Sequence, residues 1–161
     1  MPDAVFSIDD SAATLLAKSY QGEILGEIFF ARIGEHVQDA DHKAKMATLS
    51  QLECRTKEAL LPVLEKAGIS TQAELETLAE AEDLAAAVAS LNWLELMGTF
   101  EPVTTQFAAM YARIAEVDPS EREISDLLVA HELALRDFGR HEIAGRGDDS
   151  LAAITGLPHM Q

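Results

Sequence analysis

Apolar residues recur every three or four positions along most of this chain, which is the spacing of one face of an α-helix. The first such stretch predicts a helix that begins behind Ser7 and ends near residue 38. Its predicted inward face consists of Leu16, Tyr20, Ile24, Ile28 and Ala31. A second apolar stripe predicts a helix over residues 41–66, and Gly68 follows as a stop signal. Strand-like alternation is missing, so the pattern predicts an all-α protein.

The second half of the chain returns to this pattern after a more polar interval. Residues 70–90 contain few large apolar side chains and many acids, which predicts a short and mostly exposed helical crossover. The spacing then predicts one long helix over residues 84–116, bent at Pro102. A fourth helix is predicted over residues 121–144, and residues 150–161 read as a short amphipathic helical tail.

Four long amphipathic helices in this order favour an antiparallel four-helix bundle. The tight links after the first and third helices, and the longer link between the second and third, predict two helical hairpins joined by a crossover. A weak internal repeat agrees with this, because "IFFARIG" at 28–34 matches "AMYARIA" at 109–115. The length of 161 residues predicts a single domain over residues 1–161.

Charge and cysteine content narrow the classes of partner and compartment. The formal net charge of −16 argues against nucleic acid or an anionic membrane as a partner, since both require a basic face. The beginning of the chain lacks the basic start of a signal peptide, and no run reaches the ~20 apolar residues of a membrane span. Cys54 is the only cysteine, which excludes an intramolecular disulfide and predicts a cytoplasmic protein.

Three glutamates fall where the helical pattern expects apolar residues. Glu53 lies four residues after Leu49, in the middle of the second stripe, and Glu132 lies on the stripe of the fourth helix. Of the two acids in "GEILGEIFF", Glu27 rather than Glu23 is predicted to face inward. Burying an unpaired carboxylate costs several kcal/mol, roughly, unless a proton or a cation compensates it. Three inward acids therefore predict either raised pKa values or a bound metal.

His131 lies beside Glu132 on the inward stripe of the fourth helix. A single histidine in such a place can be a core residue with its hydrogen bonds satisfied. With carboxylates nearby, it can also be an ion-pair partner that replaces a metal, or a metal ligand. The residues alone leave these readings open.

The stretches "GEILGEIFF", "LSQLECRT" and "LVAHELALRDFGRHE" resemble the ferritin-like superfamily of the rubrerythrin and diiron-carboxylate type, over about residues 12–145. Such bundles hold two metal ions between a Glu on each of two helices and a Glu-x-x-His on each of the others. The resemblance implies ligand positions for Glu27, Glu53 and Glu132, with His131 beside them, and iron or manganese as the metal.

The implied ligand set is degenerate. Thr56 and Leu135 stand where the family pattern has histidine, and Ala108 stands where the third helix has a carboxylate. The favoured hypothesis is therefore a ferritin-like bundle with a partial metal site and weak or absent oxidase chemistry.

Two alternatives accompany this hypothesis. One is a helical binding or interaction module without metal, which holds a small apolar ligand in its interior or forms a homodimer. The apolar run with Phe29 and Phe30 favours such a dimer if it is exposed. The other alternative is an active diiron oxidoreductase or iron-handling protein.

Overall fold

The computed structural model describes residues 10–161, and all regular secondary structure in that part of the chain is helical. The helices are α1 (Ala12–His36), α2 (Ala40–Ala67), α3 (Leu75–Val88), α4 (Trp93–Gly98), α5 (Phe100–Val117), α6 (Arg122–Ile143) and α7 (Ala152–Thr155). Short 3-10 turns follow at Pro119–Glu121, Gly147–Asp149 and Pro158–Met160. The all-α prediction is confirmed. Within residues 10–161 no helix combines the length and apolar character needed to cross a membrane.

Capping side chains define the ends of the first two helices. The hydroxyl of Ser11 accepts a hydrogen bond from the backbone N–H of Thr14 at 3.2 Å, so α1 begins at Ala12. The predicted cap Ser7 lies outside the described residues. Gly68 closes α2 in the left-handed conformation, with φ of 67°, which glycine adopts without the strain that a Cβ would cause.

The prediction of a single helix over residues 84–116 is wrong, because this stretch contains the end of α3, all of α4 and most of α5. Asn92 begins a new helix: its side chain accepts from the N–H of Glu95 at 3.0 Å, and the Glu95 carboxylate accepts from the N–H of Asn92 at 2.9 Å. A turn at Thr99 then separates α4 from α5. Pro102 lies in the first turn of α5, where its missing N–H removes no helical hydrogen bond.

The helices pack in two pairs that are also in contact with each other. α1 packs along α2, and α5 packs along α6. α1 also contacts α5, and α2 contacts α6, while α3 lies against α1. This arrangement brings α1, α2, α5 and α6 around a common interior.

The interior contains two apolar clusters with polar residues between them. Leu49 and Leu135 belong to one cluster, and Leu60 and Leu128 belong to the other. Glu53 lies between the two leucines of α2, and Glu132 lies between the two leucines of α6. Of the carboxylates predicted from the stripes, those of Glu53 and Glu132 are therefore buried between the two clusters.

Two further contacts tie the remaining segments to α2 and α6. Lys45 of α2 forms a buried ion pair with Glu142 of α6 at 2.7 Å, and the indole of Trp93 donates to the same carboxylate at 2.8 Å. The segment after α6 returns over the protein and buries the side chain of Ile154 completely. This return places His159 next to α2, which matters for the site described below.

Candidate metal centre

Four buried ionisable side chains meet between the two apolar clusters. They come from α1, α2 and α6, and together they form the acid cluster: Glu23, Glu53, His131 and Glu132. Their relative exposures are 0%, 5%, 0% and 6%, respectively. One possible ligand atom from each of Glu23, Glu53 and His131 lies within 4.8 Å of the other two. Three separate helices therefore deliver oxygen and nitrogen donors to one point.

The two ring nitrogens of His131 face different carboxylates. Nε2 lies 3.3 Å from Oε1 of Glu53 and 3.9 Å from Oε1 of Glu132. Nδ1 lies 3.7 Å from Oε2 of Glu23. Two of these atoms, Oε2 of Glu23 and Nε2 of His131, have no hydrogen-bond partner. Buried polar atoms almost always have one, so these two atoms point to a missing proton or cation.

A threonine hydroxyl holds the ring of His131 in place. Oγ1 of Thr56 is 2.7 Å from Nδ1 of His131 and 3.0 Å from Nε2 of His159. Since a hydroxyl has one proton, it can donate to one imidazole and accept from the other. This contact fixes the ring and leaves Nε2 of His131 directed at the carboxylates. Metal-binding histidines are commonly oriented in this way by a partner on the other nitrogen.

Small and aromatic residues shape the other side of the acid cluster. A Cβ atom added at Gly26 would lie 2.6 Å from Cδ of Glu53, so the Glu53 carboxyl occupies space that any other residue at this position would fill. The hydroxyl of Tyr111, on α5, donates to Oε1 of Glu23 at 3.2 Å. Every one of α1, α2, α5 and α6 thus contributes to positioning the carboxylates.

Burial shifts the ionisation of the acid cluster towards neutral forms. It raises the pKa of Glu53 to about 8. It also raises the pKa of Glu23 and of Glu132 well above the usual range, and repulsion from neighbouring carboxylates acts in the same direction. Desolvation lowers the pKa of His131. Without a cation the cluster therefore retains protons, whereas a divalent ion would favour the ionised carboxylates.

The structure corrects one predicted site residue. Glu27, rather than Glu23, was expected to face inward, and this is wrong: Glu23 is fully buried, whereas the side chain of Glu27 is 30% exposed and pairs with Lys57 of α2. The inward face of α1 continues from Glu23 through Gly26, the residue against which Glu53 packs. Because a glycine has no apolar side chain, the apolar pattern of α1 does not indicate that its inward face runs through position 26.

Three contributors to the site were missing from the sequence prediction. Tyr111 of α5 makes the contact with Glu23, but the sequence around this position shows only an apolar stripe. Thr56 was noted for the histidine that it replaces, not for the hydrogen bonds of its hydroxyl. His159 lies near the end of the chain without any periodic pattern, and only the return of that segment towards α2 brings it to the site.

The chemistry of the donor set fits a divalent transition metal. Carboxylate oxygens and an imidazole nitrogen suit Fe²⁺, Mn²⁺ and Zn²⁺. Glu23, Glu53 and His131 offer such atoms within 4.8 Å of one another, and the carboxyl of Glu132 lies beside them. Comparison of this chain with family models, with curated proteins and with solved structures finds no match.

Proposed function

We propose that this chain is a ferritin-like protein that binds one divalent ion, Fe²⁺ or Mn²⁺, at the acid cluster. The observation that carries the proposal is the pair of buried atoms without a hydrogen-bond partner, Oε2 of Glu23 and Nε2 of His131. Oε2 of Glu23 lies 3.7 Å from Nδ1 of His131, and Nε2 of His131 lies 3.3 Å from Oε1 of Glu53. A cation would give both of them a partner and would compensate the buried negative charge.

The packing of the helices supports the ferritin-like part of the proposal. The pairs α1–α2 and α5–α6 correspond to two hairpins, and the contacts of α1 with α5 and of α2 with α6 close a four-helix bundle. Residues 68–99, which contain α3 and α4, then form the crossover between the hairpins. Each of α1, α2 and α6 offers a glutamate towards the interior, although on α1 this is Glu23 and not Glu27, to which the resemblance assigned the ligand position.

The ligand set favours one metal ion over two. Thr56 and Leu135 provide no imidazole at the positions of the family pattern, and α5 contributes Tyr111 instead of a carboxylate. Glu23, Glu53 and His131, whose ligand atoms lie within 4.8 Å of one another, are three residues, the number of protein ligands that a single ion has when solvent or substrate completes its coordination. A bound Fe²⁺ or Mn²⁺ ion would supply one-electron chemistry with oxygen or peroxide. The protein itself holds the carboxylates and orients His131.

The alternative of a dimerisation module loses one of its arguments. Phe30 is 6% exposed and Phe29 packs against the same core cluster, so these residues do not form an exposed strip. The homodimer stays a prediction without this support. The alternative of a small apolar ligand is favoured by a specific observation, a cavity beside the acid cluster, and that ligand is compatible with the metal.

The metal proposal is tested by titrating chelator-free protein with Fe²⁺ under anaerobic conditions, and with Mn²⁺ in air, by calorimetry. Wild type is expected to bind about one equivalent. Glu23→Gln and Glu53→Gln should weaken binding by about 100-fold, since each removes a charged ligand. Glu27→Gln is the matched control, one helical turn from Glu23, and should bind like wild type.

Three outcomes would decide against this proposal. If wild type binds neither ion, the acid cluster is a protonated or hydrogen-bonded core feature. If Glu27→Gln weakens binding as much as Glu23→Gln does, the ligand assignment is wrong. Binding of two equivalents would favour the diiron alternative instead.

A further inference from the structure

A cavity of about 350 Å³ lies between α1, α3 and α5, next to the acid cluster. Its walls are mostly apolar and include Leu25, Phe29, Leu84, Val103 and Phe107. The buried carboxyls of Glu53 and Glu132 line it as well, which places them at its inner end. This volume is at the lower end of the roughly 300–1,000 Å³ that is typical of small-molecule sites.

Small residues create this space. Gly22 and Gly26 of α1 and Ala87 of α3 line the cavity, so neither helix fills the gap with a large side chain at these points. α3 packs against α1, and the exposed residues Glu80 of α3 and Gln106 of α5 mark the mouth of the cavity. A molecule that enters between α3 and α5 would therefore reach the carboxyls of Glu53 and Glu132.

The charges around the cavity restrict what can bind. Neither lysine, arginine nor histidine is among the residues that line it, whereas Glu53, Glu132 and Glu80 are. A negatively charged ligand would thus be desolvated without a partner of opposite charge. A divalent ion does not change this, because three ionised carboxylates and one such ion still carry a net charge of −1. A positively charged ligand would compete with that ion for the same carboxylates.

We infer that this cavity binds an uncharged, mostly apolar molecule whose polar end lies at Glu53 and Glu132. Apolar walls favour the body of such a molecule, and the two carboxyls can exchange hydrogen bonds with a hydroxyl or carbonyl group at its end. The ligand site extends the proposed function, and any reaction of the ligand beside the metal rests on that function. Binding itself depends only on the cavity, and the metal-free protein is expected to bind the ligand too.

The test uses two probes of equal chain length and different charge. Metal-free protein is incubated with the neutral fluorescent probe N-phenyl-1-naphthylamine, which is then displaced with 1-decanol or with decanoate at neutral pH. Decanol is expected to displace the probe at a concentration at least about 10-fold lower than decanoate, which corresponds to about 1.4 kcal/mol.

Variants that fill the cavity show whether the probe binds there. Val103→Trp on α5 should weaken probe binding by about 10-fold or more. Val117→Trp, at the exposed end of the same helix, is the matched control and should bind like wild type. If Val103→Trp does not fold, as judged by circular dichroism, Ala87→Phe fills the cavity from the exposed side of α3.

Equal displacement by decanoate and decanol would overturn the inference. It would also be overturned if the filling variants bind the probe like wild type. These outcomes are independent of metal binding, since the probe experiments are done with chelator and the metal titration without ligand. A protein that binds Fe²⁺ and not the neutral probe would retain the proposed function and lose the ligand site.

Discussion

Gly26 determines where the carboxyl of Glu53 can lie. Cδ and Oε2 of Glu53 would each be only 2.6 Å from a Cβ atom at position 26. The end of a glutamate side chain can rotate away, so the backbone of α1 and α2 would not have to separate. A substitution at this residue should therefore move a metal ligand while the fold is preserved.

We predict that Gly26→Ala weakens Mn²⁺ binding by at least about 10-fold, which is the scale of changes that displace a ligand. The free energy of unfolding of the metal-free protein should change by less than about 1.5 kcal/mol, because the helical preference of alanine offsets part of the strain. Calorimetric titration and urea unfolding measure the two quantities. Gly98→Ala, where an added Cβ meets no atom within 4 Å, is the control and should leave Mn²⁺ binding unchanged.

A loss of stability without a loss of affinity in Gly26→Ala would contradict this role. In that case the carboxyl of Glu53 would be able to reach the metal from its displaced position. The outcome also bears on the cavity, whose wall includes Gly26.

Some residues of the site can be recognised from the local sequence pattern, whereas others can be recognised only from contacts in the three-dimensional structure. Glu53, Glu132 and His131 are polar residues on apolar stripes, and each stripe could be read from the sequence alone. The sequence pattern favours Glu27 over Glu23 because it assigns Glu27 to the face of Tyr20 and Ala31, whereas the observed inward face runs from Glu23 through Gly26. Glu27 pairs with Lys57 of α2 instead of facing the interior, and this contact depends on how α1 packs against α2.

The segment after α6 supports the site through a single hydroxyl. Thr56 of α2 connects His131 of α6 with His159 of the last 3-10 turn. If the hydroxyl accepts from Nδ1 of His131, it donates to His159, and Nε2 of His131 is left with a lone pair for a metal. The contact thus couples the position of a terminal segment to the orientation of a ligand.

We predict that Thr56→Val, which keeps the shape and removes the hydroxyl, weakens Mn²⁺ binding by about 10-fold to 100-fold. It should also lower the free energy of unfolding by about 1–3 kcal/mol, because buried imidazole nitrogens lose their partner. Thr56→Ser retains the hydroxyl and should restore the affinity. Thr48→Val on the same helix, where the hydroxyl bonds only to a backbone carbonyl, is the control.

Equal metal affinity in Thr56→Val and Thr56→Ser would mean that the hydroxyl has only a structural role. Calorimetry for the affinity and urea unfolding for the stability separate the two effects, since a general loss of packing would lower stability in both variants.

The helices could be predicted better than their interruptions. α2 and α6 follow uninterrupted apolar stripes with clear end signals, and their observed limits are close to the predicted ones. The prediction of one long third helix was wrong because the apolar spacing continues through Asn92 and Thr99, although the chain turns at both residues. The signal for the break was the pair Asn92 and Glu95, a capping box whose two hydrogen bonds begin a new helix.

On the scale of the whole molecule, the acid cluster is a concentration of buried carboxyl groups inside a protein of net charge −16. Its carboxyls have no buried lysine or arginine as a partner among the described residues that contact them. The folded, metal-free protein therefore has to keep protons on these groups. Its stability must then depend on pH, in the direction that follows from the raised pKa values.

The sign follows from the two states of Glu53. Its pKa is about 8 in the folded protein and near the ordinary 4.5 in the unfolded chain. Between these values the folded state binds a proton that the unfolded state has released, so this stabilising contribution is lost as the pH rises through about 8. Glu23 and Glu132 act in the same direction. His131 and His159, with lowered pKa values, oppose it only where the unfolded chain becomes protonated, below about pH 6.5.

We predict that the free energy of unfolding of the metal-free protein falls as the pH rises from 6.5 to 8. Each carboxyl that is protonated only in the folded state contributes about 1.4 kcal/mol per pH unit, and Tyr111 stays neutral throughout because burial raises its pKa. Urea unfolding with chelator measures this slope, which should be smaller by about one proton in Glu53→Gln and should change less in Glu27→Gln, which removes only a nearby charge that helps to raise the pKa of Glu53. Saturating Mn²⁺ should reverse the trend, since metal binding releases those protons and strengthens with pH. If the free energy of unfolding does not change with pH in either condition, the buried carboxyls bind the same number of protons in the folded and unfolded states. That result would contradict both the retained protons and the metal site.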